Sequence, residues 1–261
     1  MKYEKITYDY GLFDEIIDAV YVIHLEKETE RYDKSKTQLE KFRLSKNNYI
    51  TMFLSYKEMS HPYDSFDRKI ESGTHAIAYN NYFIMQDALN KGYENILIFE
   101  DDFIVLDTLY EYKSEVIDFI KKRKNLNIYF LSCINTDFPY IKNIFSRHKP
   151  VFLPESCVAM IHKKSSINHY IKLFTEGCIN VESLNDKSDN KYMFYKPLIV
   201  QTFDNTVNKS EWSNKTLDFF IKLLELNKED NIKRSWERLY NLLLLGQILS
   251  LFIFSFFLFY F

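Results

Sequence analysis

The chain has 261 residues, 46% of them apolar and 27% charged, with a formal net charge of −2. That composition excludes a disordered chain, and the lack of a basic excess leaves nucleic-acid binding without electrostatic support. The three cysteines, Cys133, Cys157 and Cys178, are odd in number and show no CxxC spacing, which argues against a disulfide framework.

The opening segment, residues 1–17, has no apolar stretch behind a basic start and does not read as a signal peptide. Ala19-Val20-Tyr21-Val22-Ile23-His24-Leu25 is short, continuous and β-branched, the pattern of a strand buried on both faces. A charged helix follows, with Tyr32, Ser35, Leu39 and Phe42 on one face, so the chain begins as a βα unit. Residues 45–72 are polar and irregular, with His61-Pro62 and Asp64, and hold at most a short strand near Tyr49 to Leu54. A clean helix comes next. Ser72 or Thr74 can cap it, Ala78, Tyr82, Met85 and Leu89 fall at helical spacing, and Gly92 stops it.

Ile96-Leu97-Ile98-Phe99 is a second buried strand and runs directly into Glu100-Asp101-Asp102. Leu109, Tyr112, Val116 and Phe119 mark a helix, residues 127–131 a strand, residues 157–161 a further strand, and Ile167, Tyr170, Ile171 and Phe174 the helix behind it. Strands alternating with helices indicate an α/β fold whose sheet is mixed but largely parallel and flanked by helices.

The end of the chain has its own pattern. Leu217, Phe220 and Leu224 suggest an amphipathic helix packed on the domain. The expected organisation is a domain over 1–226, a juxtamembrane amphipathic helix over 227–241, and an apolar helix over 242–261. Twenty helical residues span about 30 Å, enough for a bilayer core. Lys228, Lys233, Arg234 and Arg238 precede the tail and nothing charged follows it, which predicts a single-pass anchor with the domain on the cytoplasmic side.

The acidic run carries the chemistry. Ligands of open α/β sheets bind at the carboxyl ends of strands. Three adjacent carboxylates repel one another unless a positive group sits among them. Residues two apart on an extended segment point the same way, so Glu100 and Asp102 are candidate ligands for Mg²⁺ or Mn²⁺. The same triplet is also compatible with a solvated turn or a helix cap.

Three stretches together resemble glycosyltransferase family 25, the lipopolysaccharide and collagen galactosyl- or glucosyltransferases. They are Val20 to Leu25 followed by Arg31; Asp87 to Gly92 running through Ile96 to Asp102 and Phe103; and, more loosely, Val181-Glu182-Ser183-Leu184 with Tyr195-Lys196-Pro197-Leu198, Gln201 and Ser210. The resemblance implies a GT-A-like (Rossmann-like) fold, a UDP-sugar donor and Mn²⁺ or Mg²⁺ at the acidic motif. It makes Asp102 and Glu100 the metal residues, and it puts Asp101 and Arg31 beside the nucleotide. It further implies an inverting transfer of a glucose- or galactose-class hexose to the hydroxyl of a glycan, lipid or protein acceptor. Glu182 is the candidate base, with Asp186 and Asp189 as alternatives. The chain departs from the family pattern on the helix before the motif. Ala76-Ile77 replaces the usual Gly-Cys, Asn80-Asn81 replaces the usual Ser-His, and Glu182 stands for the usual Asp. These departures suit a distant, viral branch.

Two rivals remain. One is a membrane-anchored binding protein that keeps a degenerate glycosyltransferase fold without catalysis, which the Asn80-Asn81 departure motivates. The other is a metal-dependent nucleotidyltransferase or phosphodiesterase. The segment Glu26 to Arg31 lacks the glycines expected of a nucleotidyltransferase loop. No dinucleotide glycine motif, P-loop or Gly-x-Ser-x-Gly elbow is present. His24 can line the donor pocket or be a satisfied core histidine.

Overall fold

In the computed structural model the apolar run Ala19–Leu25 is strand β2, buried along all but its last residue. Residues 2–55, 70, 72–135, 146–152, 154–203 and 215–260 are described, except for the side chains of 182, 183, 186, 215–218 and 254–260. His61, Pro62, Asp64 and Ser210, named above, lie outside the described residues.

Strand β1 (Lys2–Thr7) precedes β2, and helix α1 (Thr29–Phe42) and strand β3 (Asn47–Phe53) follow it. Helix α2 (Gly73–Asn90) starts at Ser72, whose hydroxyl accepts the backbone N–H of His75 at 3.3 Å. It is followed by Gly92, at φ +75°, a backbone conformation that glycine adopts without a Cβ clash. Then come β4 (Asn95–Glu100), β5 (Phe103–Val105), α3 (Thr108–Lys122), β6 (Ile128–Asn135), β7 (His148–Pro150), β8 (Pro154–Lys163), α4 (Lys164–Thr175), α5 (Val181–Asp186), β9 (Lys191–Phe194), β10 (Ile199–Gln201), α6 (Lys215–Leu223) and α7 (Ile232–Tyr260).

Eight strands form one sheet in the order β1-β3-β2-β4-β8-β6-β9-β7, and β10 pairs with β5 in a second, two-stranded sheet. Successive residues of β2 and β4 face opposite sides. Val20, Val22, Leu97 and Phe99 join one core with Leu39 and Phe42 of α1 and Leu109 and Val116 of α3. Ala19, Tyr21, Ile96 and Ile98 join the other, with Tyr82 and Met85 of α2 and Ile167 and Phe174 of α4. Burial on both faces is why these strands read as continuous apolar runs rather than alternating ones.

The sheet is mixed, and its parallel share is smaller than expected. β2 runs parallel to β3 and β4, and β6 runs parallel to β9. The β1–β3, β4–β8, β6–β8 and β7–β9 pairs are antiparallel. Strand β8, which holds the apolar run at 157–161, is inserted antiparallel between β4 and β6. An apolar run reports burial on two faces and carries no information about direction. Because β8 opposes both neighbours, β2, β3, β4, β6 and β9 all end at the same edge.

Near the N-terminus the chain is drawn against the start of β3. A Cβ on Gly11 would lie 2.2 Å from the Cα of Ser45. Asp14 fastens the contact, accepting the N–H of Gly11 at 2.6 Å and that of Lys46 at 2.9 Å.

The end of the chain corrects the expectation of a membrane anchor over 242–261. Among the described residues no helix is long and apolar enough to cross a membrane. Residues 227–241 hold a 3-10 turn, Glu229–Asn231, and the charged first turns of α7. Those turns are bound to the domain. Trp236 is fully buried, donates its indole N–H to the carbonyl of Gln201 at 3.0 Å and stacks on Phe203. The Tyr240 hydroxyl donates to the carbonyl of Cys133 at 2.8 Å. Of the residues expected to dock α6, Leu224, just past its end, is buried with Ile221 in the cluster around Trp236, Phe220 is exposed, and the side chain of Leu217 lies outside the described residues.

Two expectations follow from this packing. Trp236→Ala should cost about 3–5 kcal/mol, as for other fully buried aromatic residues, read as a lower denaturant midpoint. An unchanged midpoint would mean that α7 is not held through this residue. The second concerns His162, which is buried, with Nδ1 2.9 Å from the Ser166 hydroxyl and Nε2 without a partner among the described residues. Burial lowers its pKa to about 3. Between that value and the ordinary histidine range only the unfolded chain takes up the proton, so this contribution to stability is present at neutral pH and lost as pH falls. Moving from pH 6.5 to 4.5 should cost the parent about 2 kcal/mol more than His162→Gln. Equal losses in urea titrations at the two pH values would remove His162 from the acid response.

Candidate functional site

Helix α1 presents Arg31, Ser35 and Gln38 at i, i+4 and i+7, one face of a helix, and all three reach the segment that leaves β4. Arg31 Nη1 donates to Asp101 Oδ1 at 3.0 Å. The Ser35 hydroxyl donates to the Asp101 carbonyl at 3.0 Å. Gln38 Oε1 accepts the N–H of Val105 at 3.0 Å. From the end of β2, His24 Nδ1 lies 2.9 Å from Asp101 Oδ2. The Asp101 carboxylate is thus held at both oxygens, and its side chain is only 7% exposed. Burial would strip the Arg31 charge, but Asp101 and Asp102 outweigh that and raise its pKa above the ordinary value.

Glu100 and Asp102, on either side, have no such partners among the described residues. Both keep a partly exposed rim, yet the surrounding protein holds water away from them. Burial, then the charges of Asp102 and Asp101, push the Glu100 carboxyl up to about 8 against the pull of Arg31. Burial and the charge of Asp101 push Asp102 up to about 7. Asp102 Oδ1 is a buried acceptor with no hydrogen-bond donor among the described residues. Two adjacent carboxylates in this condition either share a proton or face a cation.

The donor set fits a hard divalent ion. It offers carboxylate oxygen only, and Asp102 supplies an oxygen that no group among the described residues satisfies. Among the described residues no group of three or more His, Cys, Asp or Glu side chains is arranged to hold a metal alone. One or two carboxylates completed by water and substrate phosphates is the usual arrangement for Mg²⁺.

The structure brings Arg31, Asp101, Glu100 and Asp102 together, and adds His24 and Ser35. His24 carried a usable signal in the sequence, since it stands next to the carboxyl end of a buried strand, where ligands collect. Ser35 looked like an ordinary core-facing position. Glu182 lies in α5, as does Asp186, and the side chains of both are outside the described residues. Asp189 is exposed. Asn80 and Asn81, where the family 25 pattern has Ser-His, are buried in α2, and Asn81 Nδ2 donates to the carbonyl of Ile77 at 3.0 Å.

No protein-family model matches the chain, family 25 included, and no curated protein matches it. Among solved structures the chain is similar to a glycosyltransferase involved in the glycosylation of the major capsid of PBCV-1. The two share 14% identity over 72% of this chain and 93% of the other, with a TM-score of 0.44.

The Asp101 clamp makes a stability expectation. Arg31→Met removes one partner of a largely buried ion pair and should cost about 3–5 kcal/mol. Arg31→Met combined with Asp101→Leu should recover part of that loss, because no lone carboxylate is left behind. A double variant less stable than Arg31→Met alone would show that the His24 contact, and not the Arg31 pair, carries most of what the Asp101 carboxylate contributes.

Proposed function

We propose that this protein is a glycosyltransferase that moves a hexose from a nucleotide sugar to an acceptor hydroxyl with the help of Mn²⁺ or Mg²⁺. One observation carries the reading. Two carboxylates without a bonded cation among the described residues, Glu100 and Asp102, flank a third that is paired with Arg31, at the edge where five strands of a mixed α/β sheet end. The sequence resemblance to family 25, centred on residues 87–103, supports the same chemistry.

In this reading Glu100 and Asp102 hold the cation, and Asp101 and Arg31 border the nucleotide. The metal supplies neutralisation of the diphosphate as it departs. The chain's own part is to keep the acidic turn rigid, through Arg31, His24 and Ser35, so that little reorganisation accompanies the reaction. Glu182 is the proposed base. It takes the acceptor proton as the acceptor oxygen bonds to the anomeric carbon and the bond from that carbon to the diphosphate breaks, with inversion.

The test uses the full chain with UDP-glucose, UDP-galactose and related donors, with Mn²⁺ or EDTA, and follows release of nucleoside diphosphate. Release with one donor should require the metal and fall about 100-fold or more in Asp102→Ala. Mn²⁺ alone should raise the melting temperature of the parent, by mass action on the folded state, and not that of Asp102→Ala. Metal stabilisation and donor binding without any turnover would shift the reading to a non-catalytic donor-binding protein. Full activity in EDTA would overturn the metal role outright.

A further inference from the structure

A cavity of about 580 Å³ opens between the C-terminal edge of the sheet and α7. Its volume falls in the range of small-molecule sites, roughly 300–1,000 Å³. Asn135 at the end of β6, and Tyr195 and Lys196 just past the end of β9, form one side. Arg147 and Lys149 come from the start of β7, and Tyr240, Leu243 and Leu244 from α7. The cavity therefore belongs to the same sheet edge as the acidic motif, two strands further along, and it contains none of that motif's residues.

Its charges are one-sided. Arg147, Lys149 and Lys196 face a single acid, Glu237. Arg147 is paired with Glu115 at 2.8 Å, and Lys196 donates to the Tyr112 hydroxyl at 2.8 Å, so both cations are steered by groups outside the cavity. Lys149 is half-buried, and among the described residues it has no carboxylate partner, Glu237 included. Its partial burial lowers the amine pKa, as for an ammonium drawn partly out of water without a counter-charge among the described residues. Leu243 and Leu244 give the opposite wall an apolar surface.

We propose that this cavity binds an organic anion with an apolar arm, the anionic head against Lys149, Arg147 and Lys196 and the arm along Leu243 and Leu244 of α7. The head supplies the counter-charge that Lys149 lacks, and the arm covers an apolar wall that no described side chain fills. A neutral amphiphile meets only the second need and a bare inorganic anion only the first. The inference does not depend on glycosyl transfer, since it concerns binding by residues apart from the acidic motif.

Calorimetric titration of the full chain tests it, with octyl phosphate, octanoate, inorganic phosphate and octyl glucoside as probes. Octyl phosphate or octanoate should bind one to one, at least about tenfold more tightly than inorganic phosphate or octyl glucoside, where tenfold is about 1.4 kcal/mol. The difference between the two anionic probes tells a phosphate head from a carboxylate one. Lys149→Gln should weaken the anionic amphiphile about tenfold and leave octyl glucoside unchanged, with the melting temperature of the parent retained. Leu244→Asn should weaken octyl phosphate and leave inorganic phosphate unchanged. Equal affinity for octyl phosphate and octyl glucoside, no binding of either at millimolar concentration, or indifference of octyl phosphate to both substitutions would each overturn the proposal.

Discussion

The structure turns on the clamp at Asp101. One carboxylate ties together β2 through His24, α1 through Arg31 and Ser35, and the turn between β4 and β5. A buried ion pair of this kind contributes little net stability over a well-packed apolar pair, because desolvation offsets the Coulomb gain. Its effect is one of position. By holding Arg31 in a hydrogen-bonded pair, Asp101 leaves Glu100 and Asp102 without a bonded cation among the described residues, and Arg31 only partly offsets the rise of their pKa values. A turn built only for stability would distribute Arg31 differently, or carry fewer acids.

Strand direction gives that turn its setting. With β8 reversed between β4 and β6, the parallel strands on either side still deliver their carboxyl ends to one edge. The acidic turn follows β4 there, and the basic cavity follows β6 and β9. The two sites are opposite in sign and share one rim. Helix α7 closes the second of them only because Trp236 and Tyr240 fix its first turns to β10 and β6. The apolar character of 242–253 is therefore partly spent on lining a cavity, through Leu243 and Leu244, instead of facing uniformly outward.

Much of this arrangement was legible in the sequence, for reasons that can be stated. β2 and β4 were visible because burial on both faces leaves unbroken apolar runs, and α2 because a serine cap and a glycine stop bracket a helical repeat. The acidic triplet was visible because it follows such a run directly. Other features leave no local trace. The sense of β8 depends on which strands it pairs with, and nothing in residues 157–161 encodes that. Strand β1 is an exposed edge with alternating polarity and few apolar residues to announce it. Ser35 and Gln38 looked like helix positions of no account, and only the meeting of α1 with the β4–β5 turn gives them work. The tail misled for a related reason. Hydropathy summed over 242–261 takes no account of a helix already docked by residues before it.

The polar groups that the fold leaves unsatisfied separate stability from function. Thr108 Oγ1 and Ser132 Oγ are buried without partners among the described residues. Each is a neutral hydroxyl, for which the penalty is about 1–3 kcal/mol. A fold with many apolar contacts absorbs such losses without consequence. Glu100 and Asp102 are different in kind, since an uncompensated charge costs far more than an unpaired hydroxyl and escapes mainly by taking a proton. Burial pushes both carboxyls up, Glu100 to about 8 and Asp102 to about 7, and in the proposed reading a bound cation would take the place of that proton. A pair left fully ionised in water would compete poorly for a divalent ion against its own hydration, and a pair neutralised by arginine would not compete at all. In the proposed reading the β4–β5 turn lies between these extremes, because Arg31 hydrogen-bonds Asp101 and acts on Glu100 and Asp102 only through its charge.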